Sequence, residues 1–205
     1  MLCRKNLKFI HITKNAGTSI EDVSVDKGVM WGVNHRQYGF WHEKFPRKSE
    51  EMRQRYDWFM VVRNPYTRLL SEYAWLVSDG YVKPKDRHNK DFFNKTIVEF
   101  LEKVEKDEEF QFQIGKYGGD HFTEQYKYLD PCVNIHILKF ENLANDFKAL
   151  MEEYHYDITL DKTMNARHEK YVSLQDLYPE TIVLIQRVYR YDFLFFGYSF
   201  DPPTK

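Results

Sequence analysis

The stretch Phe9-Ile-His-Ile-Thr-Lys-Asn-Ala-Gly-Thr-Ser-Ile20 governs the reading of this chain. Leu7 to Ile12 is a short β-type run that feeds a turn holding Lys14, Gly17, Thr18 and Ser19, followed by a helical segment near Ser19–Val25. Strand, turn and helix in that order make an anion cradle. The first N–H groups of a helix have no intrahelical partner, and the helix dipole places partial positive charge beside them. Gly17 lets the backbone approach a phosphate closely, Thr18 and Ser19 offer hydroxyls, and Lys14 brings a full charge. The Walker A order is G-x-x-x-x-G-K-[ST], with lysine after the second glycine. Here the lysine precedes the loop's glycine, which argues against an ordinary ATP-hydrolysing loop.

Two further β-type runs repeat the arrangement. Trp58–Val62 leads to Pro65, well placed as a first helical residue, and to a helix reaching about Ser78. Asn134–Phe140 leads to a helix from about Asn142 to Tyr154, whose Leu143, Phe147, Leu150, Met151 and Tyr154 form an apolar stripe. Ile97, Phe100, Leu101 and Val104 share one face of another helix, and a last helix starts at Pro179 and presents Ile182, Ile185 and Tyr189. Asp79–Asn94 is polar and basic and reads as a long surface loop. Strands alternating with helices predict an α/β fold: one domain over residues 1–205, with a central, mostly parallel sheet covered by helices on both faces and a P-loop-like nucleotide-binding core.

Composition sets the outer limits. At 205 residues, with 42% hydrophobic and 17% aromatic residues, the chain can bury a substantial core. A formal charge of −1 supplies no global field for nucleic acid or an anionic membrane, so an anionic ligand must be held by local basic groups. Cys3 and Cys132 are too few for a disulfide framework or a cysteine-rich zinc site, and no His/Cys/Asp/Glu cluster has metal-ligand spacing. No apolar stretch has bilayer-spanning length, and the first strand begins within a few residues of Met1. The expectation is a soluble protein, cytoplasmic as written.

Ligands of open parallel sheets bind beyond the carboxyl ends of the strands. The loop at Thr13–Ser19 has that position. So does Val62-Arg-Asn-Pro-Tyr-Thr-Arg-Leu-Leu-Ser71, where Arg63 ends a strand and Ser71 lies two turns into the next helix. Arginine can grip a phosphate with two parallel hydrogen bonds, and a serine hydroxyl can complete the site. Two separated grips suggest a ligand with phosphates at both ends of a nucleoside.

These motifs together resemble the sulfotransferases that use 3′-phosphoadenosine 5′-phosphosulfate (PAPS). HITKNAGTS resembles their 5′-phosphosulfate loop, and VVRNPYTRLLSEY resembles the 3′-phosphate motif in which serine follows arginine by eight positions. The likeness is closest to the carbohydrate branch (Golgi-type, heparan- and chondroitin-like) and its soluble microbial relatives, whose loop usually reads H-I-P-K-T-G-G-T-S. This chain departs from it with Thr13, Asn15 and Ala16. The likeness continues through ILKFENLANDF, Asn165–Tyr171 and the ending Tyr191–Tyr198, and is weakest over Tyr81–Phe122.

The resemblance implies the sulfotransferase fold, with residues 79–125 as a variable acceptor-side insertion, and in-line transfer of a sulfuryl group from PAPS to a hydroxyl or amine of a carbohydrate or other small acceptor, leaving 3′,5′-adenosine bisphosphate (PAP). It implies no metal. Lys14 would stabilise the leaving 5′-phosphate, which Asn15, Ala16, Gly17, Thr18 and Ser19 would hold, while Arg63 and Ser71 would bind the 3′-phosphate. His42 corresponds to the family's general base, with His35 as runner-up and Glu43 orienting or replacing either. Arg167, His168 and Lys170 would close over the cofactor, or else belong to a solvated loop. Packing roles are the ordinary fate of His11, His136 and His155 and of Trp31, Phe40 and Trp41, and Arg68 reads as surface charge or a fold-stabilising pair. Two rival functions share the same loop: a nucleotide-binding module without catalysis, and a nucleotide-dependent kinase, which the missing G-K-[ST] order disfavours.

Overall fold

Among the described residues, three strands and seven α-helices follow one another as β1 (Leu7–Ile10), α1 (Gly17–Asp26), α2 (Glu50–Arg55), β2 (Asp57–Val62), α3 (Pro65–Ser78), α4 (Lys90–Glu105), β3 (Ile135–Lys139), α5 (Leu143–Glu153), α6 (Pro179–Val188) and α7 (Arg190–Phe196), with short 3-10 turns between some of them. The computed structural model describes residues 6–31, 44–106, 119–160 and 171–204. The chain divides into two compact units. The first comprises Met1–Arg63 with Lys127–Arg167, the second Asn64–Tyr126 with His168–Lys205.

The first unit holds the sheet. Its order is β1-β2-β3 and both pairings are parallel, with Leu7 opposite Asp57, Ile10 opposite Met60, Trp58 opposite Ile135 and Val62 opposite Lys139. The central strand β2 is the most apolar of the three. Trp58 through Val62 are all buried, as expected of a parallel strand covered on both faces. On one face Leu7, Phe9, Phe59, Val61 and Leu138 meet Ile20 of α1 and Leu143, Phe147, Leu150 and Met151 of α5. Trp31 plugs this layer, with its ring edge-on to Phe59, Phe147 and Tyr156 at centroid distances of 5.1, 5.9 and 5.5 Å. Of the aromatics expected to pack, Trp31 does so; Phe40 and Trp41 lie outside the described residues.

The second unit is helical. Tyr66, Leu69, Tyr73 and Leu76 of α3 pack with Phe93, Ile97, Phe100 and Leu101 of α4 and with Leu184, Ile185 and Val188 of α6. Asn64 caps α3 by accepting from Tyr66 N at 3.0 Å, and Pro65 occupies the first helical position, where its missing N–H costs nothing. Gly197 ends α7 in the left-handed conformation at φ 63°.

The expected α/β class and parallel sheet are what the chain forms. One boundary changes. Asp79–Asn94 is not loop throughout, because Asn89 caps α4 by accepting from Asp91 N and Phe92 N at 2.9 and 3.2 Å, and Lys90–Asn94 is already helical. The residues expected as an acceptor-side insertion thus include α4, whose apolar face helps build the second unit's core. Of the two expectations for Arg68, surface charge is excluded and a fold-stabilising role remains. The residue is 2% exposed and donates from Nη1 to the Thr123 carbonyl at 2.8 Å and from Nη2 to the His121 carbonyl at 2.9 Å.

Candidate functional site

β1 and β2 run side by side in parallel, so the loops that leave their carboxyl ends emerge at the same edge of the sheet. The first loop is short and its backbone changes hand from residue to residue. Lys14 lies at φ 60° and Ala16 at φ 63°, both left-handed, whereas neither Asn15 nor Gly17 has a positive φ. Such alternation turns successive N–H groups toward one side and forms a concave anion-binding nest. Left-handed geometry costs a residue with a Cβ about 1–2 kcal/mol, so tertiary contacts must hold it.

Two contacts of the first unit do so. Asn15 is fully buried and donates from Nδ2 to the Val61 carbonyl of β2 at 2.7 Å, which pins the loop to the central strand. Arg63, immediately after β2, donates from Nη1 to the Lys14 carbonyl at 3.0 Å. Its guanidinium carbon lies 4.0 Å from the centroid of the Phe140 ring, which follows β3, and the planar cation stacks well against an aromatic face. Arg63 therefore joins segments that follow all three strands.

The loop runs straight into α1. Ala16 is the N-cap and supplies no side-chain capping bond, and no acidic residue lies in the first turn. An anion at this end meets the positive end of the helix dipole with no carboxylate of that turn in competition. Thr18 is exposed at the opening, while Gly17 and Ser19 are buried. Lys14 is half-buried.

Gly17 has a second constraint. A Cβ added there would collide with Nε2, Cδ2 and Cε1 of the His11 imidazole. His11 itself is buried, and its Nδ1 donates to Glu21 Oε1 of α1 at 2.9 Å. The packing role expected of His11 holds, and its partner is one that sequence spacing did not suggest.

The other expected site residues divide in two groups. Ser71 is buried in the second turn of α3 and belongs to the second unit. His35, His42, Glu43, Arg167, His168 and Lys170 lie outside the described residues. Among the described residues no group of three or more His, Cys, Asp or Glu side chains is placed to hold a metal ion, and no helix is long and apolar enough to cross a membrane.

A buried cluster in the second unit escaped the sequence reading. His121 Nδ1 donates to Glu72 Oε2 at 3.0 Å, and the His121 ring stacks on Trp75 with centroids 4.3 Å apart. Asp192 of α7 accepts from Gln125 N at 2.9 Å and Tyr126 N at 2.8 Å, both shortly after His121 in the chain. Burial pushes the Asp192 carboxyl up to about 6, against the opposing effect of those backbone donors.

Residues 3–199 match the family model described as "Sulfotransferase family". Comparison with curated proteins gives no match, and neither does comparison with solved structures.

Proposed function

This chain belongs to the sulfotransferase family, and from that premise we propose that it moves a sulfuryl group from PAPS to a hydroxyl, or an amine, of a carbohydrate or other small acceptor by in-line displacement. The observation that carries the proposal is the nest at Lys14–Gly17, closed by Arg63 and opening on the uncapped start of α1. Its chemistry suits a phosphate: oriented N–H groups, a helix dipole, a lysine and an arginine converge at one sheet edge. Bound PAPS would supply the sulfuryl group together with a stable leaving phosphate.

In this reading the backbone of Asn15, Ala16 and Gly17 and the hydroxyls of Thr18 and Ser19 hold the 5′-phosphate. Lys14 meets the negative charge that develops on it as the sulfuryl group departs. Arg63 and Ser71 hold the 3′-phosphate, which distinguishes PAPS from ATP. His42 takes the acceptor's proton, with His35 or Glu43 as the replacement, and Arg167, His168 and Lys170 close over the nucleotide. Residues 1–205 act as one sulfotransferase-like domain whose 79–125 stretch shapes the acceptor side. No metal takes part, since the transferring group is less highly charged than a terminal phosphoryl.

The direct test is thermal stabilisation by PAP compared with ATP plus magnesium. A ligand that binds only the folded state raises apparent stability with occupancy. A clear shift with PAP and a smaller one with ATP–magnesium is the expected outcome. Preference for ATP–magnesium would turn the reading toward a kinase. A PAP shift without transfer from labelled PAPS to any of a panel of saccharides and phenols would favour a binding module.

A further inference from the structure

We propose that His11 and Glu21 form a positioning pair that sets the seat of the phosphate loop on α1, and that residue 17 is glycine in order to admit the His11 ring. The steric half stands on geometry alone. The positioning half rests on the sulfotransfer reading above.

Gly17 and Glu21 are four residues apart in α1, so they lie one above the other on the same helix face. His11 follows β1 directly and lays its imidazole across that face. The ring fills the space in which a Cβ of residue 17 would sit, and Nδ1 bonds to the Glu21 carboxylate at 2.9 Å. Both members are buried, at 8% and 1% exposure. A carboxylate so far from water needs a partner, and the ring supplies it. The pair thus joins the residue just before the loop to the helix just after it. Everything from Ile12 to Ile20, including Lys14 and both left-handed residues, is enclosed between its two ends.

A glycine in a phosphate loop is ordinarily explained by close approach of the ligand. Here the space freed by the missing side chain is already filled from inside the protein. If the ring moves, the first turn of α1 loses its support, and the donors that face the anion move with it. Misplacement by about 1 Å is enough to cost a binding or catalytic constellation much of its effect.

The experiment compares the wild-type chain of residues 1–205 with His11→Ala, Gly17→Ala, the double variant His11→Ala/Gly17→Ala, Glu21→Gln and Glu21→Ala. Melting temperature and calorimetric PAP affinity are measured for each, with kcat and KM for PAPS wherever turnover is found. Gly17→Ala is expected to lower the melting temperature strongly in the wild-type background and little or not at all in the His11→Ala background, because residues in contact are non-additive. Glu21→Ala is expected to weaken PAP by about tenfold or more and to raise KM for PAPS more than it lowers kcat, whereas Glu21→Gln, which keeps an acceptor oxygen, stays within a few-fold of wild type.

A loss on Gly17→Ala that is as large in the His11→Ala background as in wild type overturns the steric pairing. If Gly17→Ala yields no folded protein, a folded double variant supports the pairing, and one that also fails beside a folded His11→Ala overturns it. Folded Glu21→Ala with wild-type PAP affinity overturns the positioning role, whatever its melting temperature. A wild type that ignores PAP removes the sulfotransfer reading and the positioning role with it, and the melting comparison still decides the steric half.

Discussion

Arg63 Nη1 donates to the main-chain carbonyl of Lys14 over 3.0 Å, so the residue that leaves β2 fixes the backbone of the loop that leaves β1. An arginine proposed to grip one phosphate is thereby coupled to the loop proposed to grip the other.

Arg63→Ala should accordingly do two things. PAP affinity should fall by tenfold or more, since a charge-assisted hydrogen bond contributes about 1.5–3 kcal/mol. The kcat should fall as well, because Lys14 loses its tether. Arg63→Lys should recover part of the affinity but little of the kcat, as a point charge cannot reproduce the fork or stack on Phe140 in the same way. Calorimetry with PAP and steady-state kinetics separate the two effects; an unchanged kcat in Arg63→Ala would dispose of the coupling.

Lys14→Ala should act mainly on turnover. Removing a donor aimed at developing charge costs about 10²–10³-fold in kcat, and the nest's backbone should still bind PAP. A variant that loses PAP binding but transfers normally at saturation would show that the lysine serves only to bind.

His42→Ala should keep PAP affinity and lower kcat by about 10²–10⁴-fold, the usual worth of a general base. Retention of full activity would eliminate His42, and the same measurement on His35→Ala and Glu43→Gln would then identify the base.

Asp192 gives a pH prediction in the second unit. Burial pushes its carboxyl up to about 6 from an ordinary 3.8, so the folded state binds its proton more tightly than the unfolded chain does. Stability from this group is fully present below pH 3.8 and is lost as pH rises through about 6. The melting difference between wild type and Asp192→Asn should therefore shrink from pH 4 to pH 6 and stay flat above about pH 7. A difference that grows over that interval would contradict the assignment.

Arg68→Ala should lower stability in denaturant titration by about 2–5 kcal/mol, because two buried carbonyls lose their donors. The PAP affinity of the folded variant should remain that of wild type. A destabilisation under about 0.5 kcal/mol, the level of an ordinary surface substitution, would mean that the carbonyls find other partners.

Periodicity and turn chemistry made most of the fold legible. Trp58–Val62 announced a strand, Pro65 the start of α3, and the Leu143–Met151 stripe the packed face of α5. The start of α4 was hidden because its cap, Asn89, and its first residues, Lys90 and Asp91, continue the polar run that precedes them. The loop at Lys14–Ser19 was legible as a motif, since glycine, hydroxyls and lysine each carry their chemistry in isolation. Its internal supports were not. The His11–Glu21 pair, the Asn15–Val61 bond and the Arg63–Lys14 bond all join residues that only the strand pairing and the helix direction bring together. Arg68 shows the same limit from the other side: a charged residue on a helix looks solvated until the carbonyls that receive it are known.

The sheet also imposes an order of events on the newborn chain. Its first unit is interrupted in sequence: the polypeptide leaves it at Arg63, contributes Asn64–Tyr126 to the second unit, and returns at Lys127 to add β3 beside β2. As the chain grows from its amino terminus, β1 and β2 emerge early with one long side of the central strand still bare. That edge can be covered only after all of α3 and α4 has been made. Parallel pairing across so long an excursion is slow and leaves apolar backbone exposed meanwhile. The apolar run Phe59–Val62 is thus the segment most in need of protection during synthesis, and truncations ending before Ile135 should accumulate as aggregates rather than as a smaller soluble protein.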